Sequence, residues 1–405
     1  MKKWLWGDGH CHSNFSDGFH SIEELTGYYE QYEMDFRFQT DHLFMEMPEK
    51  KYIPHAHAVH GLIPEIITEY CNKCRAASTS RHLVIPGAEL GLIFKSPHWE
   101  LHRFLDHHML IRPLAGNNIP VPGNINGTWW PHFLEAVIKS AADSQLAFAH
   151  VSDATPWQFL PTLPCISPLE VLWNLEVSEP LFKQKWFLWW DYLLSLGKKI
   201  FLTTGSDSHQ ADLWCAGSMR NVVWIEGNAD CETVCKSFQR GNLYLSGTFH
   251  PDVWKETGET GIKPERNAFT PWFCLEQRIV RKNAEKKVMS WINSGLHNNH
   301  GRVKRSDFPQ MTFNVNNKTF GETVQAEENK PVNIDCTVHA HLPVSRFEIF
   351  AGGDIIYSEN GLKSDFSKNI ELMLKGKPSY IRIQIFTQNE NGKQEALIGN
   401  PVWIE

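Results

Sequence analysis

The chain has 405 residues, of which 42% are hydrophobic and 21% charged, as expected for a globular protein of two or three domains. Its net charge of −7 argues against a dedicated nucleic-acid binder. Nine cysteines are an odd number without a disulfide-like framework, which favours a reducing compartment, and 20 histidines favour a metalloprotein.

The amino-terminal residues do not resemble a targeting segment. Met1, Lys2 and Lys3 are followed by no apolar stretch, and no run of about 18 apolar residues occurs in the chain. We therefore expect no signal peptide, no membrane span and a cytoplasmic location. The spacing of the cysteine pairs 71/74 and 231/235 lacks the second matching pair of a zinc ribbon, so we interpret these residues as half-buried thiols.

From Trp4 to about Pro251 the sequence alternates short apolar runs with helical patterns. Ser21 and Glu24 form a capping box at the start of the first helix. Apolar runs that end in charged or imidazole groups are found in "FRFQTDH", "RHLVIPGAEL", "HHMLIRP", "QLAFAHVSD" and "KKIFLTTGSDSH". Strands that alternate with helices predict a parallel sheet, and functional groups at the carboxyl ends of strands predict an α/β barrel.

Two regions of different character follow the predicted barrel. Residues 252–309 contain the basic amphipathic pattern "RIVRKNAEKKVMSWINSG". This pattern could contact a nucleic acid or a membrane, but we favour a solvated helix at a domain junction. Residues 310–405 alternate with period two and predict a small β-sandwich, which could bind the barrel or another subunit in a homo-oligomer. The predicted domains are a barrel over 1–251, a connector over 252–309 and a sandwich over 310–405.

Nine side chains at predicted strand ends are candidate metal ligands. They are His10, His12, Asp17, His42, Glu89, His108, His150, Asp207 and His209. The H-x-H pair lies on an extended segment, where residues two apart point to the same side and can reach one ion. Nitrogen and oxygen donors together suit Zn, Mn or Fe better than Ca or Mg.

These motifs strongly resemble the PHP (polymerase and histidinol phosphatase) metallohydrolases over about residues 4–250. The resemblance is carried by "DGHCHSNFSDG", "SIEEL", "MDFRFQTDH", "VIPGAEL", "HHMLI", "FAH" and "GSDSH". The segment "LLSLGKKIFLTTGSDSH" and the residues after it resemble the CehA/McbA-type branch, which includes carbamate-ester hydrolases. The resemblance implies an α/β fold, a distorted (β/α)7 TIM-like barrel of the PHP type, with two to three divalent ions at its mouth.

The resemblance also implies how the ligands divide among three metal positions. The first position would be held by His10, His12, Glu89 and Asp207, the second by Glu89, His108 and His150, and the third by Asp17, His42 and His209. Gly9 replaces the apolar residue that the family usually has before the first histidine, and the proline expected after His150 is absent.

Several alternatives to this assignment stay open. His107 adjoins His108 and could take its place, and His98 and His102 are further rivals. Asp41 is expected to orient an imidazole rather than to bind a metal.

The ligand set predicts a hydrolase that uses a metal-activated hydroxide, with Asp207, His209 and Glu89 at the catalytic centre. A phosphoester of a small molecule is the favoured substrate, because clustered cations suit a dianionic group. A carbamate, amide or carboxylic ester is the alternative that the subfamily suggests. A non-catalytic metal-binding scaffold is the third hypothesis, and it predicts that ligands are missing. The sequence has no G-x-S-x-G elbow and no P-loop.

Substrate-binding residues are the weakest part of the sequence signal. Arg112 and Arg220, with Arg103, could supply a guanidinium to a phosphate, or they could form structural salt bridges. Trp129 and Trp130 lie in the loop "NNIPVPGNINGTWW" and could stack on a substrate or anchor the loop to the core.

Overall fold

The structure is a computed structural model. It describes residues 2–18, 20–43, 45–46, 52–53, 61–92, 107–114, 119–120, 143–149, 169–172, 190–191, 193–209, 219–249, 304–326, 330–374, 376, 378–388 and 394–405. For residues 107 and 108 the description covers the backbone. The predicted connector lies almost entirely outside the described residues, and the predicted domain boundaries stay a prediction.

Three helices have clear start signals in the sequence. They are α1 (Ile22–Gln31), α2 (Pro64–Ala77) and α3 (Cys231–Arg240). The predicted capping box of α1 is confirmed, because the Ser21 hydroxyl accepts from the Glu24 amide at 3.2 Å and the Glu24 carboxylate accepts from the Ser21 amide at 2.8 Å. None of the described helices has the length and apolar character that a bilayer crossing requires.

Strands make up most of the rest of the described chain. In chain order they are β1 (Lys2–Cys11), β2 (Phe36–Gln39), β3 (His42–Leu43), β4 (Met45–Glu46), β5 (Tyr52–Ile53), β6 (Leu83–Pro86), β7 (Ala88–Leu92), β8 (His107–Pro113), β9 (Ser144–Ala149), β10 (Leu169–Leu172), β11 (Leu202–Gly205), β12 (Met219–Glu226), β13 (Leu243–Phe249), β14 (Gln310–Val315), β15 (Thr323–Val324), β16 (Pro331–His339), β17 (Val344–Ala351), β18 (Asp354–Glu359), β19 (Asp365–Met373), β20 (Tyr380–Gln388), β21 (Gln394–Gly399) and β22 (Val402–Ile404).

Two large mixed sheets organise these strands. The first has 11 strands in the order β15-β22-β20-β21-β13-β12-β1-β2-β6, with β17 paired to β20 and β18 paired to β17. The second has 6 strands in the order β11-β10-β9-β8-β7-β3. Strands β14, β16 and β19 form a third sheet, and β4 and β5 form a short ribbon.

The predicted (β/α)7 barrel is wrong. Among the described residues the sheets are mixed and do not close into a barrel. Strand β8 runs antiparallel to both β7 and β9, and β12 runs antiparallel to both β1 and β13, whereas a (β/α)7 barrel needs parallel neighbours. Apolar runs with polar carboxyl ends predicted strands correctly but did not specify their direction.

The carboxyl-terminal strands form two packed sheets, one of which is continuous with the sheet of the amino-terminal region. Strand β21 pairs with β13, so β20, β21 and β22 continue the sheet that contains β1. The sheet of β14, β16 and β19 packs on this larger sheet through Phe313 and Ile334, whose apolar cluster includes Trp6 and Val222. The predicted period-two pattern is seen in β14, where buried and more exposed residues alternate.

A second apolar core packs α2 and α3 against β2 and β6. Cys71, Cys74 and Cys235 are buried within it, and Cys231 is half-buried against it, all as free thiols. The interpretation of the two cysteine pairs as packing residues is therefore confirmed.

Candidate metal centre

Strand ends from both large sheets meet at one place. Strands β1 and β2 are parallel neighbours, and β3 is parallel to β7 in the second sheet. A parallel bridge between Cys11 and Ser208 joins the end of β1 to the segment after β11. In the β3–β7 register His42 stands directly beside Glu89. Because carboxyl ends of parallel strands lie at one edge, these pairings bring distant residues together.

The first group of candidate ligands is compact, with three buried members and a half-buried Asp207. Its four atoms are the Nε2 atoms of His10 and His12, Oε2 of Glu89 and Oδ1 of Asp207. From His10, the distances are 3.0 Å to His12, 3.5 Å to Glu89 and 3.4 Å to Asp207. From His12, they are 3.3 Å to Glu89 and 2.9 Å to Asp207.

These distances are close to those of a tetrahedral ligand set. Four nitrogen and oxygen ligands about 2.0–2.2 Å from a common centre are about 3.3–3.6 Å from one another. Three of the five separations, at 3.3–3.5 Å, fall in this range, and the His10–His12 and His12–Asp207 pairs are shorter, at 3.0 and 2.9 Å. Two imidazoles and two carboxylates are also donors that Zn, Mn and Fe accept. The residues present therefore fit a divalent ion.

The second group surrounds the Asp17 carboxylate. His42 Nε2 is 3.5 Å and His209 Nε2 is 3.2 Å from Asp17 Oδ2. His12 Nδ1 is 3.7 Å from Asp17 Oδ1, so His12 lies between the two groups. Its ring stacks on that of His209, with centroids 4.3 Å apart. Within each of the two groups, the candidate ligand atoms all lie within 4.8 Å of one another.

The electrostatics of the site favour positive charge. Burial lowers the pKa of His12, but hydrogen bonds to Asp207 and Glu89 outweigh it and raise the pKa to about 10. Burial likewise opposes ionisation of Asp17, yet hydrogen bonds from His209 and His42 shift the pKa of its carboxyl downward. The carboxylates thus raise the pKa of the His12 and His42 imidazoles, and a divalent ion would take the place of the protons that these rings hold.

Asp207 and His209 are held by their own backbone. Asp207 has a φ of 48°, a left-handed conformation that Asp tolerates better than most residues. Its amide donates to the His10 carbonyl at 3.0 Å, which fixes it beside the first group. The His209 Nδ1–H donates to the Asp207 carbonyl at 2.8 Å, leaving Nε2 to face Asp17.

Two residues that sequence reasoning missed support the end of β1. The fully buried Asp8 carboxylate accepts from the Ser206 hydroxyl at 2.5 Å, the Ser206 amide at 2.9 Å and the His10 amide at 3.1 Å. Burial raises the pKa of Asp8 despite these bonds. A carboxylate two residues before the H-x-H pair was the available signal, but its serine partner is 198 positions away.

Among the described residues, Asp41 bonds to the neighbouring loop rather than directly to an imidazole, and its expected role in orienting one stays a prediction. It is fully buried and binds the loop between His12 and Asp17 through Ser13 and Ser16. Asp41 therefore shapes the segment that presents Asp17 to the second group.

Gly9 is explained by a close approach of two strands. A Cβ at this position would lie 2.3 Å from the Thr204 carbonyl oxygen and 3.0 Å from Arg112 Nη2. The apolar residue that the resemblance leads one to expect does not fit between β1 and β11 here.

The predicted substrate-binding arginines are both fully buried. Arg112 donates to the Gly9 carbonyl at 2.8 Å, and its guanidinium lies 4.9 Å from the Phe38 ring centroid. The Arg220 guanidinium lies 4.1 Å from the Phe308 ring. Arg112 thus reaches the site through the backbone of β1, and a substrate contact for either arginine stays a prediction.

The predicted second metal position involves residues that are only partly described. His150, Arg103, His98, His102, Trp129 and Trp130 lie outside the described residues. The backbone register places position 108 opposite Gly91 and opposite Ala149. Gly91 is two residues from Glu89, so position 108 shares a face of the sheet with Glu89 and position 107 belongs to the other face.

Comparisons with known proteins give distant similarities. No protein-family model and no curated protein matches the chain. A solved two-domain protein from Bacteroides vulgatus, described as containing a predicted PHP-like metal-dependent phosphoesterase, is 12% identical with a TM-score of 0.39, covering 100% of this chain and 95% of that one. Fibronectin(III)-like modules of Clostridium thermocellum CbhA are 18% identical over 23% of this chain and 94% of theirs, with a TM-score of 0.17. The site geometry, not these similarities, carries the functional argument.

Proposed function

We propose that the protein is a metal-dependent hydrolase of the PHP type that acts on a small phosphoester with two to three ions of Zn, Mn or Fe. One observation carries the proposal: the ligand atoms of His10, His12, Glu89 and Asp207 all lie within 4.8 Å of one another, close enough to share one divalent ion. A scaffold that had lost its function would be expected to have lost ligands, whereas each of the two groups still offers several candidate donors.

The two groups of candidate ligands would each hold one divalent ion. His10, His12, Glu89 and Asp207 would hold one ion, and Asp17 with its two imidazole neighbours would hold another. Bound divalent ions supply Lewis-acid activation of water and of a substrate oxygen near neutral pH. Asp207 belongs to the first group and His209 to the second, and the two residues lie in the same turn. They would therefore fix the distance between the two metal positions.

A phosphoester is favoured because several cations held close together suit a group with two negative charges on three oxygens. The three carboxylates of Asp17, Glu89 and Asp207 do not cancel the charge of two divalent ions, which leaves net positive charge for the substrate. Carbamates, amides and carboxylic esters, which carry no such dianionic group, are the competing class of substrate.

Metal content and substrate class can be tested together. Protein purified without chelators should contain two to three equivalents of Zn, Mn or Fe by elemental analysis. The reconstituted protein should hydrolyse aryl phosphomonoesters or phosphodiesters faster than aryl carbamates and esters. The reverse order would replace phosphoester by ester hydrolysis, and a protein that takes up no metal would disprove the proposal.

Asp207→Asn is the matched test of the site, since it removes one negative charge with little change of volume. We expect it to lower metal content and abolish hydrolysis. Asp365→Asn is the control, because the Asp365 carboxylate also contacts an imidazole, that of His339 at 3.1 Å, but is 67% exposed on β19. Undiminished turnover in Asp207→Asn would place the active site elsewhere.

A further inference from the structure

We propose that Ser16 is a positioning residue that links the His12 ring to the Asp41 carboxylate and thereby fixes which His12 nitrogen can bind metal. This inference rests on the proposed metal binding by the first group. The Ser16 hydroxyl is 2.7 Å from Asp41 Oδ1 and 3.4 Å from His12 Nδ1. The serine is buried, with 5% of its surface exposed.

Asp41 is a fixed acceptor in this link. Its Oδ1 accepts from the Ser13 amide at 2.8 Å and from the Ser16 hydroxyl. Its Oδ2 accepts from the Ser13 hydroxyl at 2.8 Å and from Gln39 Nε2 at 2.9 Å. Four donors occupy the two oxygens, and an ionised carboxylate accepts but does not donate.

The direction of the Ser16 hydrogen bond follows from the distances. A hydroxyl has one proton, and Asp41 Oδ1 at 2.7 Å is closer than the other carboxylate within reach, Asp17 Oδ1 at 3.3 Å. Ser16 therefore donates to Asp41, and its lone pairs are left to accept from His12 Nδ1–H.

This arrangement assigns His12 to one metal position. With the proton on Nδ1, the Nε2 lone pair faces Glu89 Oε2 at 3.3 Å and Asp207 Oδ1 at 2.9 Å, as a ligand of the first group must. The Nδ1 atom, although it is 3.7 Å from Asp17 Oδ1, is then not a ligand of the second group. The Asp41–Ser16 pair thus separates two groups that share a histidine.

Ser13 provides a matched control within the same loop. Both hydroxyls bond to Asp41, at 2.8 Å for Ser13 and 2.7 Å for Ser16, and both serines are buried. Among these two, the hydroxyl of Ser16 contacts His12. A role confined to loop structure would make Ser13→Ala and Ser16→Ala equivalent, whereas the proposed role separates them.

The experiment uses the full chain stripped of metal and titrated with Zn²⁺ against a chromogenic chelator. We expect Ser16→Ala to weaken the tightest Zn²⁺ site by about 10–100-fold, the usual effect of losing a residue that orients a metal-bound histidine. Ser13→Ala should change it by less than about threefold, and Ser16→Thr, which keeps the hydroxyl, should restore most of the loss. Circular dichroism and urea unfolding of each metal-free variant check that it folds.

A second readout concerns the imidazole itself. In the Zn²⁺-loaded protein, ¹⁵N spectra should show His12 with a protonated Nδ1 and a metal-bound Nε2, a signal identified by its absence in His12→Gln. Equal Zn²⁺ affinities for Ser13→Ala and Ser16→Ala, or a metal-bound His12 Nδ1, would overturn this inference and leave the proposed function standing. Wild-type protein that binds no Zn²⁺ or other tested metal would overturn both.

Discussion

His82 should make the metal-free protein less stable in mild acid. The side chain is 1% exposed, its Nδ1–H donates to the Met34 carbonyl at 2.8 Å, and its Nε2 accepts from Arg37 Nη1 at 3.0 Å. Burial and then the charge of Arg37 lower the pKa of His82 to about 3. Neither ring nitrogen can take a further proton without losing a partner, so the folded state holds the ring neutral.

The magnitude follows from the two pKa values. The unfolded value is about 6.5, so between pH 6.5 and 3 the unfolded chain binds a proton that the folded protein does not. The contribution of His82 is therefore complete above pH 6.5 and is lost as pH falls, at about 1.4 kcal/mol per pH unit. From pH 8 to pH 5 the loss is about 2 kcal/mol.

The assay is urea unfolding of metal-free wild-type and His82→Gln protein, followed by tryptophan fluorescence at pH 5, 6, 7 and 8. Glutamine keeps a donor and an acceptor but does not titrate, so the stability advantage of wild type over variant should shrink by about 2 kcal/mol between pH 8 and pH 5. His339→Gln, at an exposed histidine on β16, is the control. A wild-type advantage that stays constant over this range would refute the reasoning.

Three further outcomes test other parts of the structure. Gly9→Ala should lower the free energy of unfolding by about 1–3 kcal/mol and weaken Zn²⁺ binding, because the new methyl group would push β1 away from β11. Unchanged urea unfolding curves would show that the two strands can separate without cost. His108→Asn should lower metal content by elemental analysis while His107→Asn leaves it unchanged, and the opposite pattern would exchange the two assignments. The buried Arg382 guanidinium donates to the two carboxylate oxygens of Asp191 at 2.7 and 2.6 Å. Asp191→Asn removes this counter-charge and should destabilise the fold by about 3–5 kcal/mol. An unaltered melting temperature would contradict this expectation.

The candidate site was largely predictable from the sequence because its signals are local. The H-x-H pair, "TDH" and "GSDSH" each place a ligand at the end of a strand, and these strand ends meet at one edge because β1–β2 and β3–β7 are parallel neighbours. The resemblance placed His12 with Asp207 and set Asp17 in another group, and the structure brings the candidate ligand atoms of each group within 4.8 Å of one another.

The overall fold was not predictable in the same way because it depends on strand direction. The run "HHMLIRP" reads as a buried strand in either orientation, and the structure pairs it antiparallel on both sides. Pairing of Leu245 with Ile398 likewise joins segments whose sequences contain no mark of each other. The supporting contacts of Asp8 and Asp41 could not be predicted either, because serine hydroxyls give no periodic signal in the sequence.

The continuous sheet limits how far the protein can be trimmed. Strand β21 covers the edge of β13, and the Asn400 side chain bonds both the amide and the carbonyl of Leu202, on the strand that leads to Asp207. A truncation at residue 251 would uncover a row of backbone donors and acceptors that invites aggregation. Minimal versions for expression or crystallisation should therefore extend to Glu405.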